Sequence, residues 1–303
     1  MRIARATVGA RPACETRVIP FVMALASSML YGVGDFLGGM GARRANVVTV
    51  TAWFQISGVV LLVGYALLAP GVTRGEDLAW GAVAGASGGL GVMLLYHALA
   101  TGVVSTAAPL VSMLALTVPV VAGLASGERP GLWPLVGIGL GAVAVLLVSG
   151  DGHGAPTATG EARGSRRALG VAALAGLLIG AFLVMLARVQ PGASGWPLVA
   201  GRASASVVLW LLVLVQRTPV ALAREARAPM LGATITDVGG NVLYLLAVQR
   251  APLSLVATLV TLAPATTVLL AQTVLHERLS RRQQVGVAIA LVAVVLLSSG
   301  ARH

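Results

Sequence analysis

The stretch Leu253–Gly300, LSLVATLVTLAPATTVLLAQTVLHERLSRRQQVGVAIALVAVVLLSSG, decides the reading of the whole chain. It is an apolar run interrupted by Pro264, a charged knuckle HERLSRRQ from His276 to Gln283, and a second apolar run closing on Ser-Ser-Gly. A looser copy lies about 150 residues earlier: an apolar run with Pro119, the knuckle GERPGLWP from Gly127 to Pro134, and VGIGLGAVAVLLVSG. Glu128-Arg129 matches Glu277-Arg278, and Ser149-Gly150 matches Ser299-Gly300. The chain is one unit written twice, a duplication typical of transporters.

Composition names the solvent. Of 303 residues 57% are apolar and 10% charged, with a mean hydropathy of +0.91. A soluble domain carries about 25% charged residues, so this surface belongs in lipid. A helix crossing the hydrocarbon needs ~20 mostly apolar residues, because its backbone polar groups must be satisfied within the segment. Ten such segments are present, five in each copy. An odd number of crossings makes the second copy enter from the opposite side. The expected fold is an all-α membrane protein with ten transmembrane helices in two inverted five-helix repeats.

The net charge of +11 does not point to nucleic acid. All 21 basic residues are Arg, nearly all placed singly or in pairs between apolar runs, and no basic stripe is interleaved with aromatics. The single cysteine, Cys14, allows no internal disulfide and no Cys-rich metal site. No cofactor and no metal is expected.

The chain divides into a basic tail (1–18), a first repeat (19–150), a Gly-, Ala- and Thr-containing linker (151–167) and a second repeat (168–300). The tail is read as disordered, or as sequence upstream of a start at Met23. A signal peptide is set aside because the apolar run continues through Asp35 without a cleavage site. Expected spans in the first repeat are Ile19–Ala42, Val47–Leu68, Leu78–Ala100, Val103–Ala125 and Leu132–Ser149. In the second they are Ala168–Arg188, Trp196–Val215, Ala228–Val248, Leu253–Leu275 and Arg281–Ser299. Gly81, Gly85 and Gly89 recur every four residues in the third span, a stripe that lets another backbone come close. Sliding one repeat over the other aligns Tyr96 with Tyr244 and Phe54 with Arg202.

Ionisable groups inside spans are the best pointers to function, since each costs about 2.5 to 3.5 kcal/mol at a helix centre and needs a partner or water. Asp35, Arg202 and Asp237 are of this kind, and His97 is a fourth titratable group. Asp237, Asn241 and Tyr244 stand at i, i+4 and i+7 on one helix face. They read as a cavity wall for a polar or cationic substrate or for a proton, against a structural network pinning that helix. Tyr31 and Asp35 share a face, and Gly38, Gly39 and Gly41 after them suggest a helix that loosens, with Asp35 pairing Arg43 or Arg44 as the structural alternative. Arg202 either snorkels to the surface, pairs with Asp237 or Asp35 and gates the cavity, or holds a substrate carboxylate; the buried pair with Asp237 is the preferred reading. Tyr96, His97 and Gln55 complete the candidate set. Trp80, Trp133 and Trp196 are read as an interface belt. Glu128 and Glu277 are expected to be structural, capping the helix that follows or holding the turn beside Arg129 and Arg278. Pro109, Pro119 and Pro264 should bend their helices.

The paired run, Glu-Arg knuckle and closing helix, together with YGVGDFLGGMGARR and DVGGNVLYLLAVQRAPLSLVATL, resemble the EamA domain of the drug/metabolite transporter superfamily over nearly the whole chain. The resemblance implies ten helices in two inverted bundles, a cavity lined by spans 1 to 4 and 6 to 9, peripheral spans 5 and 10, and cytoplasmic termini. The Arg tally leans the other way, with nine on the side of the termini and eleven on the opposite side. The function expected is a secondary transporter moving a small polar metabolite, amino acid or drug across the bacterial inner (plasma) membrane by alternating access, with proton coupling as an option. Its partners would be that small-molecule substrate, the lipid bilayer and, through the peripheral helices, a second copy. An uncoupled facilitator of the same fold is the alternative. An intramembrane lipid-modifying enzyme is disfavoured, since no HExxH, clustered His or paired Asp occurs, and no GxxxxGK[ST] supports ATP-driven pumping.

Overall fold

The computed structural model describes residues 13–100, 104–149, 162–274 and 280–298. They form eleven helices and, among the described residues, no strand: α1 (Ala13–Ala42), α2 (Val47–Leu68), α3 (Gly75–Ala100), α4 (Val104–Ala125), α5 (Leu132–Ser149), α6 (Ala162–Leu186), α7 (Trp196–Gln216), α8 (Arg224–Val248), α9 (Leu253–Val260), α10 (Ala263–Val274) and α11 (Arg281–Ser298). Among the described residues, five stretches are long and apolar enough to cross a membrane: Val18–Ala42, Val47–Leu68, Gly75–Ala98, Trp196–Gln216 and Arg224–Val248. Shorter apolar stretches occupy Leu110–Ala125, Leu132–Val148, Gly170–Leu186 and Leu253–Thr267.

Several boundaries depart from expectation: α1 opens at Ala13, inside the stretch read as a disordered tail, α3 at Gly75 rather than Leu78, and α8 at Arg224 rather than Ala228. The ninth expected span is split into α9 and α10, because Pro264 has no N–H to give the Val260 carbonyl one turn earlier. Thr261 closes α9 locally, its N–H and hydroxyl both donating to the Ala257 carbonyl at 2.9 Å. In addition, α6 opens at Ala162, so residues 162–167, expected to end the linker, are helical. By contrast, α1 does not loosen at Gly38–Gly41 but stays helical to Ala42.

Small residues fill part of the interior beside large ones such as Tyr96, Tyr244 and Leu209, and the outward faces are as apolar as the core. Ala24, Ala52, Ala84, Ala172, Ala175 and Ala293 are fully buried, while Val60, Leu67, Leu68, Val215, Leu291 and Val295 stand exposed. In lipid, apolar side chains gain little by leaving the surface, so helices associate where small residues let backbones touch. The glycine stripe of α3 does this against α7: a β-carbon on Gly81 would overlap the Pro197 carbonyl, one on Gly85 the Gly201 carbonyl, and one on Gly89 would lie 2.7 Å from the Ala205 methyl.

The main helix contacts cross between the halves: α1 with α8, α3 with α6 and α7, α4 with α6, α2 with α7, and α5 with α11. Exchanging each helix for its counterpart in the other repeat turns α1·α8 into α3·α6, and returns α2·α7 and α5·α11 to themselves. The two aligned tyrosines obey the same exchange. Tyr96 of α3 points its hydroxyl at the Gly34 carbonyl of α1 (3.5 Å), and Tyr244 of α8 donates to the Leu183 carbonyl of α6 (2.7 Å).

The connections join in two groups. Buried Asp77 accepts from the backbone N–H groups of Arg74 (3.0 Å) and Gln190 (2.9 Å), Arg74 donates to Gln190 Oε1, and Gln249 donates to the Gln190 carbonyl. This ties the α2–α3, α6–α7 and α8–α9 connections together. Elsewhere the Thr49 hydroxyl and the Trp53 indole N–H donate to the carbonyls of Pro219 (2.7 Å) and Val220 (2.9 Å), and Arg44 donates to the Glu225 carbonyl, tying the α1–α2 connection to α7–α8.

Glu128 corrects an expectation. It does not cap the following helix: its two carboxylate oxygens accept from Leu253 N (2.6 Å) and Ser254 N (2.9 Å), the first amides of α9 in the other half. The N-cap of α9 is Pro252, which offers no side-chain acceptor, so these amides need an outside one. Gly123 leaves the room, since a β-carbon there would approach Glu128 Oε2 to 2.5 Å. Glu277 and Arg278 lie outside the described residues, as do residues 1–12 of the tail and 151–161 of the linker.

Two outcomes follow for the purified protein. Glu128→Ala should lower stability by about 1–3 kcal/mol, with Glu128→Gln intermediate, read as the midpoint of unfolding in detergent. Gly85→Val should abolish the monodisperse folded peak in size-exclusion chromatography, whereas Gly64→Val, at a position with open space around it, should not.

Candidate functional site

Arg202 stands in the second turn of α7 and is only 8% exposed. Its side chain does not snorkel outward. One guanidinium nitrogen, Nη1, donates to Gln55 Oε1 on α2, and the other, Nη2, is ion-paired with Asp237 Oδ2 on α8. The guanidinium carbon lies 4.8 Å from the centre of the Phe54 ring, a cation–π contact. Gly58, one turn beyond Phe54, leaves the slot it occupies: a β-carbon there would be 3.2–3.4 Å from the Arg202 side chain. Gly89 does the same for Gln55, whose Nε2 would lie 3.2 Å from a β-carbon at that position.

The network continues through α8 into α1. Asn241 Nδ2 donates to Asp237 Oδ2 (2.6 Å) and to the Asp237 carbonyl (2.7 Å), and Asn241 Oδ1 accepts from the Tyr31 hydroxyl (3.1 Å). The Tyr31 ring packs against Gly240, and the Ser27 hydroxyl donates to the Gly240 carbonyl at 2.8 Å. A continuous polar path thus runs Tyr31–Asn241–Asp237–Arg202–Gln55 across α1, α8, α7 and α2. The helices come from both halves, so the site exists only when the halves are assembled.

Two seams flank it. Toward the Asp77 latch, α3 and α7 meet backbone to backbone at the glycine stripe. Toward the opposite connections, α2 and α8 close through Val50, Phe54, Ala226, Met230 and Ala233, with the hydroxyls of Ser57 and Thr234 3.1 Å apart. The first closure is backbone on backbone, and the second is made by side chains.

The remaining candidates are distributed unevenly. Tyr96 borders the site: its ring meets Phe54 edge-on at 6.3 Å, and it packs over Gly38. Asp35 is half-buried and, among the described residues, makes no hydrogen bond or ion pair; the alternative pairing with Arg43 or Arg44 is not formed. Tyr244 shares the face of Asp237 but does not join its network. Two turns along α8 the neighbour is α6, and there its hydroxyl meets Leu183. His97 is exposed and lies apart from the network. Sequence reasoning missed Phe54 as the partner of Arg202, although the repeat alignment places these two at equivalent positions, where a two-fold relation brings equivalents together. Asp77 was missed because its position before an apolar run reads as an ordinary helix start.

No match was found among the curated proteins. A solved structure described as "Crystal structure of protein" superposes with a TM-score of 0.71 at 18% identity, over 93% of this chain and 97% of its own. At that identity the likeness establishes the fold alone. The EamA-like transporter family matches twice, over residues 18–150 and 166–299, and so covers both repeats. The chain belongs to the EamA-like transporter family.

Proposed function

We propose that the protein is a secondary transporter of the bacterial inner membrane that moves a small polar metabolite, amino acid or drug by alternating access. Ten crossings in two inverted repeats fit the grouped connections. If every apolar helix crosses once, with α9 and α10 counted as one crossing, α2–α3, α6–α7 and α8–α9 fall on one side and α1–α2 and α7–α8 on the other. Those are the two groups that hydrogen bonds join. The exposed or half-exposed Trp80, Trp133 and Trp196 all stand near helix starts on the first of these sides, where an interfacial belt would lie.

The observation that carries the reading is the Arg202–Asp237 pair, buried where helices of both halves converge. A charge pair supplied by one half and enclosed by Gln55, Phe54 and Tyr31 of the other can be offered to solutes on one side and then the other as the seams exchange roles. In an inverted repeat, α3·α7 and α2·α8 are counterparts, so opening one while the other closes gives access in turn.

Transport is read in vesicles made from cells screened for exported metabolites. Arg202→Ala should reduce flux more than ten-fold, roughly the loss expected when a buried charge partner is removed, while Arg282→Ala on an exposed position should leave it near wild type. The neutral pair Arg202→Gln with Asp237→Asn removes both charges together. It should remain inactive, and recovered flux would reduce the pair to a structural role.

A further inference from the structure

We propose that Ser206, Trp210 and Thr218 line the route by which Arg202 is reached from the α7–α8 end of the bundle. What they bind is an acceptor oxygen, either of water or of a solute carbonyl or carboxylate. The proposal rests on the transport reading and adds the path and the ligand chemistry of its site.

Buried side-chain polar atoms that the fold leaves without a hydrogen bond mark the route. Arg202 Nη2 is satisfied by Asp237. Among the described residues four others remain: Ser206 Oγ, Trp210 Nε1, Thr218 Oγ1 and, at the start of α9, Ser254 Oγ. Three of the four thus follow Arg202 along one element. Residues 202, 206 and 210 are spaced four apart, about 6 Å of rise each time, so they share one face of α7. Thr218 lies just past the end of that helix, next to Pro219 and Val220, whose carbonyls take the Thr49 hydroxyl and the Trp53 indole N–H. The string therefore runs from the central pair to the place where the α1–α2 and α7–α8 connections join.

The helix does not need these groups in order to form. Hydroxyls elsewhere in the bundle donate to the carbonyl four residues back: Thr51 to Val47, Ser57 to Trp53, Thr234 to Met230 and Thr258 to Ser254. Ser206, only 6% exposed, does not. The offset that pairs Phe54 with Arg202 puts Gly58, Leu62 and Pro70 opposite Ser206, Trp210 and Thr218. The first half builds α2 and the residues after it with no polar side chain at any of these positions. A buried donor without a partner lowers stability. Polar atoms kept only in the half that carries the charges therefore point to a ligand.

Trp210 fixes the polarity of that ligand. Its ring meets Trp53 edge-on at 5.4 Å and packs with Ala52, Leu209 and Val213. An indole N–H only donates, so whatever completes it must accept. A hydroxyl adapts to either role, so Ser206 and Thr218 can meet the same oxygen-bearing group as it passes. Trp53 also packs against the α2·α8 seam, so parting of that seam frees one wall of the route.

The test is cysteine labelling of the purified full chain in detergent, in a Cys14→Ser background that removes the one native thiol. The probe is sulfonatoethyl methanethiosulfonate, which needs water and a thiolate, and intact-mass spectrometry gives the rate. Ser206→Cys and Thr218→Cys should react roughly ten-fold faster or more than two variants flanking Ser206. These are Ala205→Cys, sealed against Gly89 of α3, and Val207→Cys, on the exposed apolar face. N-Acetylglycine, which carries an amide carbonyl and a carboxylate, should slow labelling of Ser206→Cys several-fold, and tetramethylammonium chloride should not. Ser206→Ala should leave the unfolding midpoint unchanged or raise it, because no partner is lost. Should Ser206→Cys not fold, Thr218→Cys and Ser206→Ala carry the same comparison. Labelling no faster than in the flanking variants, or a midpoint lowered by Ser206→Ala as loss of an internal hydrogen bond requires, would overturn the proposal. Fast labelling indifferent to N-acetylglycine would overturn its solute half and leave a water path. None of these readouts needs flux, so a failure of the transport reading would show separately, as a reactive and protectable thiol in protein that moves no solute in vesicles.

Discussion

An arginine cannot shed its proton to enter an apolar interior, and the arrangement of this bundle follows from meeting that demand at Arg202. A charge at a helix centre costs about 2.5 to 3.5 kcal/mol, more than a typical hydrogen bond returns. Its neighbours are therefore constrained together: Asp237 as counter-ion, Gln55 as acceptor, Phe54 as the ring beneath, and Gly58 as the gap that admits the guanidinium. Asn241 fixes the orientation of Asp237 and is itself held by Tyr31. One buried cation thereby sets the mutual placement of α1, α2, α7 and α8.

Around that centre the pairing of helices follows the repeat, and the chemistry does not. Position by position, the repeat places Phe54 opposite Arg202 and Tyr96 opposite Tyr244, and the same offset places Gly89 opposite Asp237. The first half supplies an aromatic and a glycine where the second supplies charges. These substitutes are used: Phe54 lies under the guanidinium, and Gly89 makes the space that Gln55 fills. Duplication provides two exchangeable seams, and divergence of one copy provides a polar site between them. The seams differ in kind, since α3·α7 is sealed by backbone contact and α2·α8 by Met230, Phe54 and Val50. Under the proposed alternating access, the α2·α8 side, closed by side chains rather than by backbone, is the one expected to open more readily.

Much of this was legible in the residues. The helix content, the repeat, the close-approach role of Gly81, Gly85 and Gly89, and the Arg202–Asp237 pairing all follow from period, composition and the cost of intramembrane charge. What was not legible depends on which helix lies opposite. Tyr244 shares a face with Asp237 by spacing, yet two turns along the helix that face meets α6 instead of α7. Glu128 sits in a turn whose local partners are obvious in sequence, and it serves α9, some 125 residues away. The split at Thr261–Leu262 was half legible, for Pro264 announces a bend, while its sharpness depends on local hydrogen bonds that spacing does not reveal.

The central claim is that Arg202 and Asp237 act as one unit, so the most direct test is a double-mutant cycle on unfolding in mixed micelles, built from Arg202→Gln, Asp237→Asn and the pair. A coupling energy of about 2 kcal/mol or more, with each single variant less stable than the double, is the predicted result. Additive effects, with coupling near zero, would mean that the two charges are satisfied separately and would contradict the account.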